Sequence, residues 1–295
     1  MNNIVVIGSC NIDLTVLSDK RPVAGETVLG NGLNIAPGGK GANQAVAAAK
    51  LGANVTMVGC IGNDAYGQMV LENLHRWNIN TDYLVTLDDV NTGTAHITLA
   101  EGDNSIIVLL GANARVDESI VDGAWDAISK ADLVMVQNEI PLKTIGYITK
   151  KCAAAGVKVL LNPAPAADLE AEWLTQATYI TPNEHELAAL YPVNTTDDII
   201  KANAGKIIVT LGSEGVAFGK DGDIHKVPSF KVQPVDTTGA GDTFNGGFAT
   251  AIVNGKSIEE AIRYGNAAAA LSILKLGAQE GMPTAEEVSA FLAKQ

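Results

Sequence analysis

The chain contains 295 residues, of which 47% are hydrophobic and 18% charged, and it carries a formal net charge of -13. This length is enough for one large domain with a sizeable buried core, and the composition is typical of a globular enzyme. The negative charge argues against a nucleic-acid-binding groove, because proteins bind phosphate backbones by neutralising them with lysine and arginine. An anionic substrate would need a local positive site or a metal ion.

The cysteines and the N-terminal sequence bear on the cellular compartment. Cys10, Cys60 and Cys152 are odd in number, far apart and form no CxxC pair, so they indicate neither a disulfide framework nor a zinc site. The N-terminus lacks the basic and apolar stretches of a signal peptide, and no apolar run approaches the roughly 18 residues that a membrane span needs. We therefore expect a cytoplasmic protein that uses no membrane.

Taken in chain order, short apolar runs alternate with stretches of helical period. The runs rich in Val and Ile, which predict strands, cover 3–8, 54–59, 132–138, 158–163, 179–182 and 206–212. Their continuous apolar character is typical of strands buried on both faces of a parallel sheet. The predicted helices cover 41–52, 66–77, 117–130, 142–156 and 257–277. The pattern predicts one domain, residues 1–295, with a doubly wound three-layer α/β/α fold.

Two regions interrupt this alternation. Residues 14–36 are rich in Gly and Asn, and residues 92–111 predict a hairpin around the sequence EGDN. We expect these β segments to pair into a small sheet that covers the functional site as a lid. A lid would exclude water, which competes as an acceptor in group-transfer reactions. The alternative is that both regions are ordinary surface excursions.

Two common nucleotide-binding motifs are absent from the sequence. The first strand-to-helix turn, VIGSCNIDL, contains no GxGxxG, which removes the main support for a dinucleotide-binding dehydrogenase. The sequence GVAFGKD has one residue too few between its glycines, and Asp221 follows its lysine, so a standard phosphate-binding loop is not predicted. Ligand binding is expected instead from polar residues at the carboxyl ends of the strands.

The sequence DTTGAGDTFNGG at 236–247 sets a carboxylate directly behind a Gly-Ala-Gly turn. Apolar residues recur at helical spacing from Phe244 onward, so a helix is predicted to start close to Asp242 and to offer its N–H groups to an anion. Asp242 would accept a proton from an attacking hydroxyl while the turn holds a phosphoryl group, or it would simply cap the helix. Gly246 and Gly247 in the first turns predict a close approach to the backbone.

Other polar candidates are weaker when taken singly. Asn183 and Glu186 stand three residues apart, which predicts either a capping box or a pair of groups that organise Mg²⁺. Residues 210–215, TLGSEG, would offer hydroxyls and amides to a nucleotide or form a tight turn. Candidates for binding a small polyol, each equally explicable as a turn or solvated residue, are Asn11, Asp13, Lys40, Asn43 and Glu139.

Six motifs follow one another over nearly the whole chain: GSCNID, GGKGANQAVAAAKLG, NPAP, TPNEHEL, TLGSEG and DTTGAGDTFNGGFA. Together they resemble the ribokinase-like family of carbohydrate kinases, and the combination is much more specific than its parts. The resemblance implies ATP-dependent phosphorylation of D-ribose at its 5-hydroxyl, with Mg²⁺ accompanying the nucleotide. It also implies an α/β sandwich whose β lid takes part in forming a homodimer.

The resemblance also implies roles for individual positions. Asp242 would be the catalytic base, and the adjoining anion hole would consist of Gly239, Ala240 and Gly241. The implied sugar site comprises Asn11, Asp13, Gly39, Lys40, Gly41, Asn43 and Glu139. The positions implied to face ATP are Asn183, Thr210, Leu211, Gly212, Ser213, Glu214, Gly215, Gly241 and Asn266. Glu186 would help to place Mg²⁺.

A monovalent-cation site, expected to take K⁺, is implied beside the same loop. Its ligands would be Asp236, Thr238 and the carbonyls of Ser272, Lys275 and Gly277. Gly281 departs from the family pattern, because it stands where a serine hydroxyl commonly completes the cation shell. A backbone carbonyl or a water molecule would have to substitute for that hydroxyl.

Two other functions remain compatible with the sequence. Within the same class, the acceptor would be 2-deoxyribose, fructose or adenosine, although only 5% of the residues are aromatic and the sugar motifs contain no evident slot for a nucleoside base. A non-catalytic sugar or nucleotide sensor would keep the fold, but a sensor has no requirement for a base at Asp242.

Overall fold

A computed structural model of the chain describes residues 2–295. The strands are β1 (Asn3–Ile7), β2 (Asn11–Leu17), β3 (Gly32–Gly38), β4 (Asn54–Gly62), β5 (Asn80–Leu87), β6 (Gly93–Ala100), β7 (Asp103–Leu109), β8 (Leu133–Gln137), β9 (Val159–Asn162), β10 (Tyr179–Ile180), β11 (Ile208–Thr210), β12 (Val216–Lys220) and β13 (Asp223–Val227). The helices are α1 (Lys40–Lys50), α2 (Ala65–Arg76), α3 (Glu118–Gly123), α4 (Trp125–Ile128), α5 (Leu142–Ala155), α6 (Ala171–Gln176), α7 (Glu184–Leu190), α8 (Thr196–Ala202), α9 (Ala240–Val253), α10 (Ile258–Ser272) and α11 (Ala285–Leu292). Within the described range, no helix has both the length and the apolar character needed to cross a bilayer.

Six parallel strands form the central sheet in the order β10-β9-β8-β1-β4-β5. The central strand β1 sends Ile4 and Val6 into one buried cluster and Val5 and Ile7 into the other. The first cluster includes side chains of α1, α2, α9 and α10, and the second includes side chains of α3 to α8. The central sheet is therefore buried on both faces by helices, which confirms the predicted doubly wound α/β/α sandwich.

An antiparallel sheet, β11-β12-β13, continues the central sheet through single bridges from Ile180 to Ile207 and from Asn183 to Thr210. Strands β12 and β13 are joined at Asp221 and Gly222, whose φ angles of 53° and 86° are those of the two-residue turn that twisted hairpins favour. The GVAFGKD segment runs along β12, so its lysine lies in an antiparallel hairpin.

A separate four-stranded sheet, which we call the small sheet, has the order β3-β2-β6-β7. Strand β2 pairs antiparallel with β3 and parallel with β6. Strands β6 and β7 form the hairpin expected around EGDN, with Glu101 and Gly102 at its tip in left-handed conformations of φ 58° and 77°. The α/β architecture thus carries the small β sheet that the sequence predicted.

Helix α9 lies unusually close to its two neighbours, and two glycines explain why. A Cβ at Gly246 would overlap Ala47 of α1, and one at Gly247 would stand 3.0 Å from the Cα of Gly265 in α10. The predicted close approach at these glycines is therefore an approach of neighbouring helices. This close packing fixes the position of α9 against α1, and it therefore also fixes the residues in the first turn of α9.

Three of the differences from the sequence-based expectation have a local structural cause. The helix expected over 117–130 is divided into α3 and α4 at Ala124, whose φ of -95° and ψ of 4° lie outside the helical range, directly after the poor helix former Gly123. The helix expected over 257–277 ends at Ser272, because the chain turns sharply toward Gly277, which has a φ of 85°. Strand β5 was not predicted, because its half-buried edge position gives it no continuous apolar run.

Candidate active site

Asp242 lies in the first turn of α9 and is buried, with 7% of its surface exposed. The helix begins at Ala240, two residues before the aspartate, and Gly239 precedes it in a left-handed conformation with a φ of 75°. One carboxylate oxygen of Asp242 accepts a hydrogen bond from Asn43 Nδ2 at 2.9 Å, and the other accepts one from Gln44 Nε2 at 3.0 Å. The helix dipole and these two amide donors together stabilise a buried negative charge.

The turn that precedes Asp242 is open on its outer side. A Cβ at Gly241 would meet no other atom within 4 Å, whereas the N–H of Ala240 already donates to the carbonyl of Thr237 at 3.2 Å. The N–H groups at the start of an α-helix have no partner within the helix, so those of Gly241 and Asp242 remain available to an anion. Of the implied anion hole, Gly241 is thus the most accessible member.

The implied sugar residues converge where β1, β2 and α1 meet. Glu139 Oε2 accepts hydrogen bonds from the Ser9 hydroxyl at 2.5 Å and from the N–H of Lys40 at 2.9 Å, which ties Glu139 to the start of α1. Asn11 Oδ1 accepts a hydrogen bond from Asn113 Nδ2 at 2.7 Å, so its amide is held in one orientation.

Charge accumulates in this cluster. Burial, together with the nearby carboxylates of Glu139 and Asp242, raises the pKa of Asp13 to about 6. For Lys40, burial acts to lower the pKa, but attraction to Asp242, Glu139 and Glu186 outweighs burial, so the pKa is raised overall. The lysine is therefore held in its charged form among carboxylates.

Two glycines of the implied sugar site make close backbone contacts. Gly39 has a φ of 86°, and a Cβ there would stand 2.8 Å from the N of Asn11. A Cβ at Gly41 would lie 2.7 Å from the carbonyl oxygen of Ser9. Both positions let the N-terminus of α1 rest against the turn after β1, so these glycines shape the site through backbone packing.

A cavity of about 430 Å³ opens beside the N-terminus of α9. Its walls include seven residues that the resemblance assigned to the nucleotide or anion site: Asn183, Thr210, Gly212, Gly215, Ala240, Gly241 and Asn266. Leu211, Ser213 and Glu214 are not among its lining residues, while His185, Val216, Ser229, Phe244 and Ala269 line it without having been predicted. The apolar side chains of Val216, Phe244 and Ala269 give the cavity a surface suited to an aromatic base.

Asn266 contributes to this cavity indirectly as well. Its amide nitrogen donates to the carbonyls of Val227 and Pro228, both at 3.2 Å, and so fixes the chain as it leaves β13. Gly215 has a φ of 103°, and a Cβ there would overlap the carbonyl of Val227. The cavity wall thus depends on close packing between the turn before β12 and the end of β13.

Asn183 and Glu186 form the capping box that the sequence offered as one alternative. Asn183 Oδ1 accepts from the N–H of Glu186 at 2.8 Å, and Glu186 Oε2 accepts from the N–H of Asn183 at 2.9 Å. Glu186 is buried, and burial together with the charge of Asp242 raises its pKa despite the opposing effects of Asn183, Lys40 and His185. A carboxylate close to a second carboxylate favours a cation between them.

The segment implied to hold a monovalent cation also folds as one unit. The two Asp236 oxygens accept from the N–H groups of Thr238 and Gly277, each at 2.9 Å. A Cβ at Gly281 would overlap the carbonyl oxygen of Ser272 and lie 3.0 Å from that of Gly277. Two carbonyls therefore converge on position 281, and in this conformation the backbone leaves no room for a side chain there. The side chain of Lys275 points toward Glu287, with 3.7 Å between the charged atoms, whereas the implied ligand at this position is the backbone carbonyl.

Sequence reasoning missed a set of buried amide side chains around Asp242. Gln44, Asn113, Gln137, Asn162 and Gln279 are all at most 6% exposed. Asn162 donates a hydrogen bond to the carbonyl of Thr181 and accepts one from Gln44, and the other four each donate to a side chain near the site. Asparagine and glutamine are rarely buried without a hydrogen-bonding purpose. Gln137 and Asn162 end apolar strands, which was the signal available to find them.

Comparison with known proteins agrees with this geometry. The family model for pfkB family carbohydrate kinases matches residues 1–285. The ribokinase of Bacillus subtilis (strain 168) is 50% identical over 293 residues, covering 99% of this chain and 100% of the relative, and a deoxyribokinase of Salmonella typhi is 36% identical over 99% of both chains.

Solved structures lead to the same family. A ribokinase from Thermotoga maritima superposes with a TM-score of 0.91 at 39% identity, covering 99% of this chain and 100% of the other. An Arabidopsis thaliana ribokinase complexed with ribose and ATP gives a TM-score of 0.91 at 34% identity, covering 99% and 98%. The chain belongs to the pfkB family of carbohydrate kinases, which confirms the resemblance that its motifs suggested, and it is a carbohydrate kinase.

The raised pKa of Asp13 predicts a pH-dependent cost to stability. The native state holds the Asp13 proton up to about pH 6, whereas the unfolded chain releases it near the ordinary aspartate pKa of 3.8. Asp13 therefore favours folding least above pH 6. We expect Asp13→Asn to raise the free energy of unfolding at pH 7.5 by about 1–2 kcal/mol after solvent screening, and by almost nothing at pH 4.

Urea unfolding at the two pH values measures this difference. The control is Asp82→Asn, an exposed residue on the edge strand β5, which should change stability little at either pH. An equal increase in the free energy of unfolding from Asp13→Asn at pH 4 and at pH 7.5 would contradict the raised pKa of Asp13.

Proposed function

We propose that this kinase transfers the γ-phosphoryl group of ATP to the 5-hydroxyl of D-ribose. The observation that carries the proposal is the position of Asp242 between two differently built regions. On one side Gly241 and Ala240 line the cavity suited to a nucleotide. On the other side Asp242 bonds Asn43 and lies within electrostatic reach of Asp13 and Lys40, in a cluster suited to several hydroxyls.

The chain's own residues supply a complete division of labour for this transfer. Asp242 is held by two amide donors, which leaves its remaining lone pairs free to accept the proton of the attacking hydroxyl. The N–H groups of the first turn of α9 and the positive end of its dipole stabilise charge on the transferred phosphoryl group. Asn11, Glu139 and the small sheet above them would hold the sugar and exclude water.

Mg²⁺ bound with ATP would neutralise the phosphate oxygens. Glu186 fits a role in placing it, because this buried carboxylate uses Oε2 for its capping bond and lies near Asp242. Among residues 2–295 no group of three or more metal-ligating side chains is assembled. The arrangement accords with a magnesium ion held by one or two carboxylates together with phosphate and water oxygens.

K⁺ is the cation that we propose for the segment around Asp236. The carbonyls of Ser272 and Gly277 both point toward position 281, and Asp236 supplies a carboxylate to the same turn. Because Gly281 has no side chain, backbone carbonyls and water would complete the coordination shell of the cation. A bound cation would act by fixing the conformation of the loop before α9 and not by taking part in the chemical step.

Ribose is preferred over the other acceptors for a chemical reason. The site offers several fixed hydrogen-bonding groups, and a site built around a hydroxyl discriminates strongly against an analogue that lacks it. The relatives include both a ribokinase and a deoxyribokinase, and the former is the more similar.

The first experiment is ADP release from Mg-ATP with D-ribose, 2-deoxyribose, fructose and adenosine, each in K⁺ or in Na⁺ alone. We expect kcat/KM to be highest for ribose, at least about 10-fold above 2-deoxyribose, because loss of one hydroxyl leaves site groups unpaired. Turnover should fall when Na⁺ replaces K⁺. A preference for another acceptor would replace the ribose proposal, and binding of ATP and sugar without turnover would favour a sensor.

Replacement of the base should slow the chemical step. Asp242→Asn keeps the side-chain volume but removes the proton acceptor, so we expect kcat to fall by about 10² to 10⁴. The KM for ATP should change little, because the cavity walls are retained. The control is Asp89→Asn at an exposed ion pair with Arg115, which should keep wild-type turnover. Near-normal kcat in Asp242→Asn would refute the role as base. The structure already excludes the helix-cap alternative, because Gly239 is the N-cap residue and the Asp242 carboxylate bonds Asn43 and Gln44 instead of the helix backbone.

We also propose that the small sheet joins two copies of the chain and that the protein is cytoplasmic. Strand β7 is exposed along its whole length, and apolar side chains lie exposed across this sheet: Val16, Leu17, Leu33, Ile35, Leu99, Ile106, Ile107, Val108 and Leu109. Contiguous exposed apolar surface marks an interaction site, and a second copy of the chain covers such a surface with the same residues related by two-fold symmetry. Free, buried cysteines accord with a reducing compartment.

Charge on this sheet should separate the copies. Ile107 is 68% exposed, and we expect Ile107→Asp to convert a particle of twice the 30.6 kDa chain mass into a monomer. Light scattering coupled to size-exclusion chromatography measures the mass. The control is Val193→Asp, which places the same charge on an apolar residue that is 92% exposed outside the sheet and should leave the dimer intact. A monomeric wild type would refute the proposal.

A further inference from the structure

The two amide groups that hold Asp242 are themselves held in different ways. Asn43 and Gln44 are adjacent on α1, and each donates to a separate oxygen of the carboxylate. Gln44 has two further partners, because its Oε1 accepts from Gln137 Nε2 at 2.7 Å and its Nε2 also donates to Asn162 Oδ1 at 3.0 Å. Loss of one partner would leave the other to orient Gln44.

Asn43 depends on a single partner for the side-chain atom that faces away from Asp242. Its Oδ1 accepts from Gln279 Nε2 at 2.8 Å, and Gln279 Oε1 in turn accepts from Asn73 Nδ2 at 2.6 Å. The donors thus run in one direction, from Asn73 through Gln279 and Asn43 to the carboxylate. Asn43 and Gln279 are each 6% exposed, so solvent has little access to replace either bond.

Gln279 is also fixed through its backbone. Its carbonyl accepts from Lys50 Nζ at 3.2 Å, and it lies in the turn between Gly277 and Gly281. Lys50 and Asn73 come from α1 and α2, so both helices hold the glutamine against Asn43. These hydrogen bonds indicate more than a packing role for Gln279, because a buried apolar side chain could fill the same space without any of these partners.

We propose that Gln279 is a positioning residue for catalysis, which rests on the proposed role of Asp242 as the base. Without the Gln279 donor, Asn43 Oδ1 would be buried and unpaired, at a cost that favours rotation of the amide toward another partner. Rotation removes the Nδ2 donor from Asp242 and lets the carboxylate move. Because reactivity depends steeply on the position of the base, such a movement slows the transfer without touching the nucleotide cavity.

The test compares neighbouring substitutions in the same turn. Gln279→Met keeps the length and volume of the side chain and removes its donor, and we expect kcat with ribose to fall about 10-fold, with the KM for ATP changed less than about twofold. The control Glu280→Gln removes an exposed ion pair with Arg76, 3.0 Å long, and should leave both constants within about twofold. The assays are run well below the melting temperature of each variant. Gln279→Leu also removes the side-chain donor and serves as a second test variant.

A crystal structure of Gln279→Met gives a readout that does not depend on turnover. We expect the Asn43 amide to lie beyond hydrogen-bonding distance of Asp242, more than about 3.5 Å away. An unchanged kcat, or a fall in kcat with Asn43 still bonded to Asp242, would overturn the positioning role. A wild-type protein that phosphorylates no sugar would refute the proposed function instead, and the position of Asn43 in the variant would still decide whether Gln279 orients it.

Discussion

A buried carboxylate at the start of a helix is the constraint on which the rest of this structure depends. Removing an ionised aspartate from water is costly unless charges, dipoles and donors replace the lost hydration. Asp242 receives all three from different parts of the chain: the N-terminus of α9, two amides of α1 and the charge of Lys40. The glycine at 246 brings α1 close enough to α9 for those amides to reach the carboxylate.

The same requirement explains why the site gathers more acid than base. Glu139, Glu186 and Asp242 interact electrostatically with Lys40, and burial, aided by neighbouring carboxylates, raises the pKa values of Asp13 and Glu186. Such a cluster costs stability in the absence of ligand, which is a common property of sites built to bind cations and polar substrates. A chain of net charge -13 can attract a nucleotide only where such local arrangements and a metal oppose the overall field.

The sequence predicted those features whose signals are local. Buried parallel strands such as β1 and β8 are short apolar runs, and the capping box at Asn183 follows from the spacing of two residues. Strands β12 and β13 went unpredicted even though the Asp-Gly pair at their turn is a strong hairpin signal. The break at Ala124 depends on how two short helices pack, which no periodicity in 117–130 reveals.

The site was predictable as a set of residues but not as a geometry. Family motifs indicated Asp242, Asn11 and Lys40, whereas the amides that orient Asp242 come from positions up to 236 residues apart in the chain, as Gln279 and Asn43 show. The turn that carries Gln279 also presses against the start of α9, where a Cβ at Gly239 would stand 2.9 Å from the Cβ of Ala278. One short turn near the C-terminus therefore contacts both the helix that carries the base and the amide that orients it. Because the two contacts belong to one short turn, a displacement there would act on both the base and its donor, and only the folded chain makes that coupling visible.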